Sequence, residues 1–141
     1  MDFLKEFDKI METTNEIALA TSIDNMPNVR IVNFYYDTLK SGIIYFATFK
    51  NCTKIQEFDK NNKIAVTTIP HGSSEQIRIG NGTVQKSELT IFDLKDAFVK
   101  KLPNYEAIID QAGRALELYE IHFNEASVIL DIDKRSKINF Q

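Results

Sequence analysis

Arg30 stands in the run Val29-Arg30-Ile31-Val32, where β-branched neighbours on both sides read as a strand covered on both faces. A charge in such a strand costs on the order of a few kcal/mol unless an anion pairs with it. A second cation follows in the run TFKNCTK, residues 48–54, which ends a strand and opens a helix on Lys54. The first amides of a helix have no backbone acceptor, so amides, a hydroxyl and an ammonium together suit a phosphate group. Lys54 supplies a point charge and Arg30 a bidentate fork. The chemistry these residues support is the binding of a small dianion, with Thr48 adding a hydrogen bond. The plainer alternatives are an arginine at a strand end with its head in water, Thr53 as a helix cap, and Lys50 as a solvated turn residue.

Gln76 and Arg78 lie two apart in one strand and so share a face. Arg78 reads as a solvated residue of that face. Gln76 carries both a donor and an acceptor and can read the polar edge of a heteroaromatic ring. Cys52 lies beside the helix start, between Lys50 and Lys54, an environment that lowers a thiol pKa. A small loop residue is its simpler reading, and a redox or ligand-contacting thiol the sharper one. His71 and His122 fall in no metal-ligand spacing, and Asp93, Asp96 and Asp110 form no acid–base pair, so no metal is expected.

The elements that hold these residues follow from periodicity. Phe3, Leu4, Phe7, Ile10 and Met11 predict an amphipathic helix over 2–13. Strands are expected at 17–22, 28–36, 42–48, 64–69 and 76–86, with turns at 24–27 and 37–42. Thr53-Lys54-Ile55-Gln56 fits a capping box, which predicts a helix over 53–60 with Thr53 as its cap. Gly80 and Gly82 mark a bulge or sharp bend. Apolar residues at 91, 94, 97 and 98 predict a helix over 89–101 that stops before Pro103, followed by a short helix or loop at 104–113. Strands at 116–123 and 127–130 close the chain. Early and late hairpins with a few short helices point to a small antiparallel barrel with helices around it.

The 141 residues suit one domain, 1–141, with a single core. A net charge of -3 leaves no broad basic surface, which argues against nucleic acid. The acidic, amphipathic start is unlike a signal peptide, and no run approaches the ~20 apolar residues of a membrane span. With one cysteine, Cys52, no internal disulfide can form. A cytoplasmic protein with no membrane association is the expectation.

The order RIVNFY, YFAT, a turn closing on Lys54, NNKIAVTT and EQIRIGNGTV resembles the pyridoxamine 5'-phosphate oxidase-like family over about residues 5 to 90, and more loosely through ELYEIHFNEASVIL. The resemblance implies a mainly β fold, a six-stranded antiparallel Greek-key split barrel, paired as a homodimer with FMN between the subunits. It implies that Arg30, Ile31, Val32 and Asn33 form the FMN strand and that Ala47 and Thr48 end the next. It further implies that Thr53 and Lys54 meet the phosphate and that Gln76 reaches the flavin. Thr53 stands where the family often has arginine, and Tyr35 where it often has lysine. The true oxidase's Trp and its Arg/His-rich substrate segment have no match in the tail IDKRSKINFQ. The function implied is an FMN-dependent oxidoreductase acting on a small molecule by hydride transfer through flavin N5, with no catalytic side chain singled out. The rivals are a non-catalytic flavin-binding, storage or sensing protein, and a barrel that takes haem or a deazaflavin instead.

Overall fold

The structure, a computed structural model, describes residues 1–140. Helix α1 (Phe3–Thr13) begins where the Asp2 side chain accepts the Lys5 amide at 3.1 Å, and it buries one stripe, Phe7, Ile10 and Met11. Strands β1 (Glu16–Ile23) and β2 (Met26–Asn33) form a hairpin. Its turn places Asp24 and Asn25 at φ 51° and 66°, a left-handed conformation that these two residue types tolerate. There follow β3 (Tyr35–Tyr36), β4 (Ile43–Phe49), α2 (Thr53–Lys60), β5 (Lys63–Thr68) and β6 (Gln76–Lys86). Helices α3 (Lys95–Lys101) and α4 (Tyr105–Ala112), with a short 3-10 turn (Gly113–Ala115), precede β7 (Leu116–Phe123), β8 (Glu125–Asp131) and β9 (Lys134–Asn139).

All strand pairings are antiparallel, in the order β2-β1-β5-β6-β7-β4-β3. The long strand β6 is shared along one edge: Gly82–Lys86 pairs with β7, whereas Gln76–Arg78 pairs with β8, which carries β9. That change of partner splits the sheet, and a register shift at Ile64/Val66 of β5 bends it opposite Gly82. A Cβ at Gly82 would sit 2.9 Å from Ile64 Cδ1 and 3.3 Å from Ile121 Cγ2, so a larger residue there would push these side chains aside. The sheet wraps one core, with Phe7, Phe34, Phe46, Ile77 and Ile121 fully buried or nearly so. A second, smaller core lies between the outer face of β4 and β7 and the helices α3 and α4, built on Tyr45, Phe98, Ile109 and Leu118. The fold is a mainly β split barrel with flanking helices.

The chain departs from the sequence reading in five places. Nine strands form where periodicity predicted seven and the resemblance six: the expected strand over 28–36 breaks at the buried Phe34 and the tail adds β9. At that break the partner changes from β1 to β4, which turns a corner of the barrel. The alternation in β9 is almost wholly polar (KRSKIN), as an edge strand allows and a hydrophobic pattern cannot reveal. The helix expected over 89–101 starts only at Lys95: Asp93 Oδ2 accepts the Thr90 amide at 2.8 Å and Thr90 Oγ1 accepts the Asp93 amide at 3.3 Å, so side chains capture groups a helix needs. Cys52, not Thr53, occupies the cap position of α2, and no side chain caps it. Finally, β2 is an edge strand whose outer face is bare in the single chain, with Val29 64% and Ile31 59% exposed. It is not covered on both sides.

Candidate functional site

Arg30 lies opposite Leu19 in the β1–β2 hairpin and shares its inward face, toward the end of the barrel that α2 covers. Burial of Phe58 among the barrel's core residues seats α2 there, and the same helix presents Glu57. Arg30 Nη2 pairs with Glu57 Oε1, while Arg30 Nη1 donates to Thr21 Oγ1 at 3.2 Å. Thr21 Oγ1 in turn donates to Glu57 Oε1 at 3.1 Å, and Asn28 Nδ2 to Glu57 Oε2 at 3.1 Å. Burial pushes the Glu57 carboxyl up, but the donors on Asn28, Arg30 and Thr21 outweigh it and hold the pKa below the usual value. The anion that Arg30 requires is therefore, within the chain, the Glu57 carboxylate. Sequence reasoning passed over Glu57. The available signal was its place three residues after Lys54, which puts both on one side of α2.

Lys54 stands in the first turn of α2, one turn before Glu57. Among the described residues no carboxylate lies within ion-pair range of its ammonium. Before it the chain turns through Asn51, at φ 65°. Thr48, buried at the end of β4, brings its Oγ1 to 3.2 Å from Cys52 Sγ. Partial burial raises the Cys52 pKa, yet the Thr48 hydroxyl, the Ile55 and Lys54 amides and the Lys54 charge together lower it below the ordinary thiol value. Thr53 is exposed beside them. Thr48, Cys52, Thr53 and Lys54 thus gather at one helix start, with Arg30 and Glu57 one turn further along.

The remaining residues named from the sequence divide between faces. Val32 points inward against the main core, and Ile31 points outward into solvent. The Asn33 side chain donates to the Asn15 carbonyl at 3.3 Å. Ala47 packs into the second core, on the opposite face of β4 from Thr48. Gln76 is further removed. The register Arg30–Leu19–Val66–Ile79 runs along the inner face of four strands, and Ile31–Ala18–Thr67–Arg78 along the outer face. Gln76 shares the outer face with Arg78, and its Oε1 accepts from Thr67 Oγ1 at 3.4 Å. Arg30 and Gln76 of one chain therefore face opposite sides of the same sheet.

His71 is exposed, 3.6 Å from Glu16, and His122 Nε2 lies 2.7 Å from Glu120 Oε1. Glu120 Oε2 also accepts from Ser87 Oγ at 2.6 Å. In that chain the carboxylate sits in the middle, so it separates the hydroxyl from the imidazole that would have to take its proton. No group of three or more metal-ligating side chains exists among the described residues, and no described helix is long and apolar enough to cross a membrane.

Residues 10–135 match the family model described as pyridoxamine 5'-phosphate oxidase-like. The chain belongs to that family. A search of curated proteins finds no match. Solved structures share the fold at low identity. One is a protein of the pyridoxinephosphate oxidase family related to general stress protein 26 of B. subtilis, from Clostridium acetobutylicum. It superposes with a TM-score of 0.73 at 15% identity, over 99% of this chain and 96% of that one. A FAD-binding protein from Mesorhizobium loti gives 0.64 at 15% identity, over 86% and 90%. A heme-binding protein from Mycobacterium smegmatis gives 0.74 at 11% identity, over 99% of this chain but only 58% of its own.

Proposed function

We propose that this family member is an FMN-binding flavoprotein and an oxidoreductase for a small molecule, with the flavin phosphate held at the start of α2. The observation that carries the reading is the ammonium of Lys54, with no carboxylate in range among the described residues, at the start of an eight-residue helix that no side chain caps. These groups fit a phosphate. The helix start, the exposed Thr53 hydroxyl, Lys54 and the outer side of the Arg30–Glu57 pair offer donors and a local charge of about +1, from two cations and one carboxylate. When bound, FMN supplies hydride transfer at its N5. The chain's own residues bind and orient it: Lys54 and Thr53 at the phosphate, Arg30 through its partly shared charge, and the backbone of 30–33 along the ring.

The opposite facing of Arg30 and Gln76 supports a site completed by a second copy, since one flavin can meet both only if two chains contribute. The bare outer face supports the same homodimer: Val29 and Ile31 stand beside Ala18, Ala20 and Ala65, small side chains that leave a smooth apolar surface. Haem has less in its favour, because neither histidine lies near α2 and His122 is engaged by Glu120. The test is the visible spectrum of the purified protein, then FMN titration followed by flavin fluorescence. A flavin spectrum and a tenfold or greater loss of affinity in Lys54→Met support the reading (about 1.4 kcal/mol for each factor of ten). A haem spectrum, or full FMN affinity in that variant, overturns it.

A further inference from the structure

Away from α2, the last turn of α3 turns a lysine inward. Lys101 Nζ lies 3.5 Å from the centroid of the Phe34 ring and donates to the Met11 carbonyl at 3.1 Å. Among the described residues it has no carboxylate within ion-pair range. Its side chain borders a cavity of about 440 Å³ between α1, β3 and α3, with Glu12, Tyr35, Asp37 and Ala97 in the wall. That volume accommodates a small organic molecule. The cavity shares no lining residue with the Arg30–Glu57 network, so it is a separate place in the fold.

We propose that Lys101 is a carbonyl-capturing amine that forms a reversible imine with a small aldehyde of apolar or aromatic body entering this cavity. Burial drives the ammonium pKa down to about 7, against the smaller upward pull of Glu12. The Phe34 face and the Met11 carbonyl favour the charged form, and desolvation outweighs them. A lysine held this way presents a free electron pair near neutrality, as imine-forming lysines require. The amine nitrogen attacks the carbonyl carbon and a C–N bond forms. The carbonyl oxygen then leaves as water, carrying the two protons of the amine. The titratable and charged groups that line the same cavity and would relay those protons are Glu12 from α1, Tyr35, Tyr36 and Asp37 from β3 and its turn, and Lys100 from α3 itself. The Tyr35 ring offers a flat surface for an aromatic aldehyde.

Lys100 is exposed at the same cavity and serves as the internal comparison. The experiment incubates the full chain with salicylaldehyde and sodium cyanoborohydride at pH 7, then maps the reduced adducts by peptide mass spectrometry. Lys101 is expected to be labelled about tenfold faster than Lys100 or any surface lysine. A free-amine advantage of roughly a thousandfold is cut by restricted entry. Ala97→Phe, one turn earlier on the same face of α3, narrows the cavity and should lower labelling of Lys101 but not of Lys100. An unlabelled Lys101, or labelling that follows exposure alone, overturns the proposal. So does unchanged Lys101 labelling in a folded Ala97→Phe protein. The wild-type map decides the matter even if that variant fails to fold.

Discussion

Replacing Arg30 by Met and Glu57 by Gln, singly and together, tests whether the pair under α2 is an energetic unit. Removing one member of a deeply buried ion pair costs about 3–5 kcal/mol, because the other charge stays buried and unpaired. Here the side chains keep 17% and 12% exposure at the barrel's end, so solvent screening lowers the figure to about 2 kcal/mol for each single change. Glu57→Gln still accepts from Asn28 and Thr21 but leaves the guanidinium uncompensated. Arg30→Met leaves the carboxylate with two neutral donors. The double variant strands neither charge, so its loss should fall short of the sum by roughly 1 kcal/mol or more. Urea melts at pH 7 measure this, and each single change should also lower Tm by about 6 °C in a chain of this length. Acid gives an independent sign. The Glu57 pKa is lowered on folding, so its contribution is present above the unfolded value and is lost as pH falls through the folded one. The wild type should lose its advantage over Glu57→Gln as pH drops below about 4. Additive single losses, with a coupling below about 0.3 kcal/mol, would refute the reasoning, and so would an advantage indifferent to acid.

Two further outcomes follow from the same structure. The folded-state pKa of Lys101 is lowered from 10.5 to about 7, so the unfolded chain binds more protons between those values and stability rises with pH across that window. Lys101→Met should therefore gain most over wild type below pH 7, by at most about 5 kcal/mol, with the gain shrinking toward pH 10. Melts of both proteins at pH 6 and 9.5 check the trend, and a gain that grows with pH would contradict it. Ile31→Glu places a charge in the middle of the bare face formed by β2 and β1 and should convert the proposed dimer to a monomer in sedimentation. A wild type that sediments as a monomer would remove the reason to expect that effect.

Much of the barrel is legible along the chain because its signals are local. Short runs rich in apolar and β-branched residues marked β1, β4, β5, β6 and β7, and the stripe Phe3–Met11 marked α1. The family was legible too, through the order of RIVNFY, YFAT, Lys54 and EQIRIG. What could not be read were partners distant in sequence. Glu57 is 27 residues from Arg30, and nothing in either neighbourhood marks the contact. Lys101 reaches Met11 across 90 residues. Its neighbours Phe98 and Leu102 suggest a buried helix face without showing that the ammonium goes in with them.

Sequence alone determined the residue types and their local periods: where strands run, where α2 begins, and that Lys54 is a cation at a helix start. These depend on backbone sterics and side-chain spacing over a few residues. Only the tertiary structure decided which charge each cation meets, that Arg30 and Gln76 look away from each other across one sheet, and that β2 leaves apolar side chains bare. Those outcomes rest on strand register and on the closing of the barrel. There a shift of one residue would reverse every face, and electrostatic energies depend on distances that the linear order does not contain.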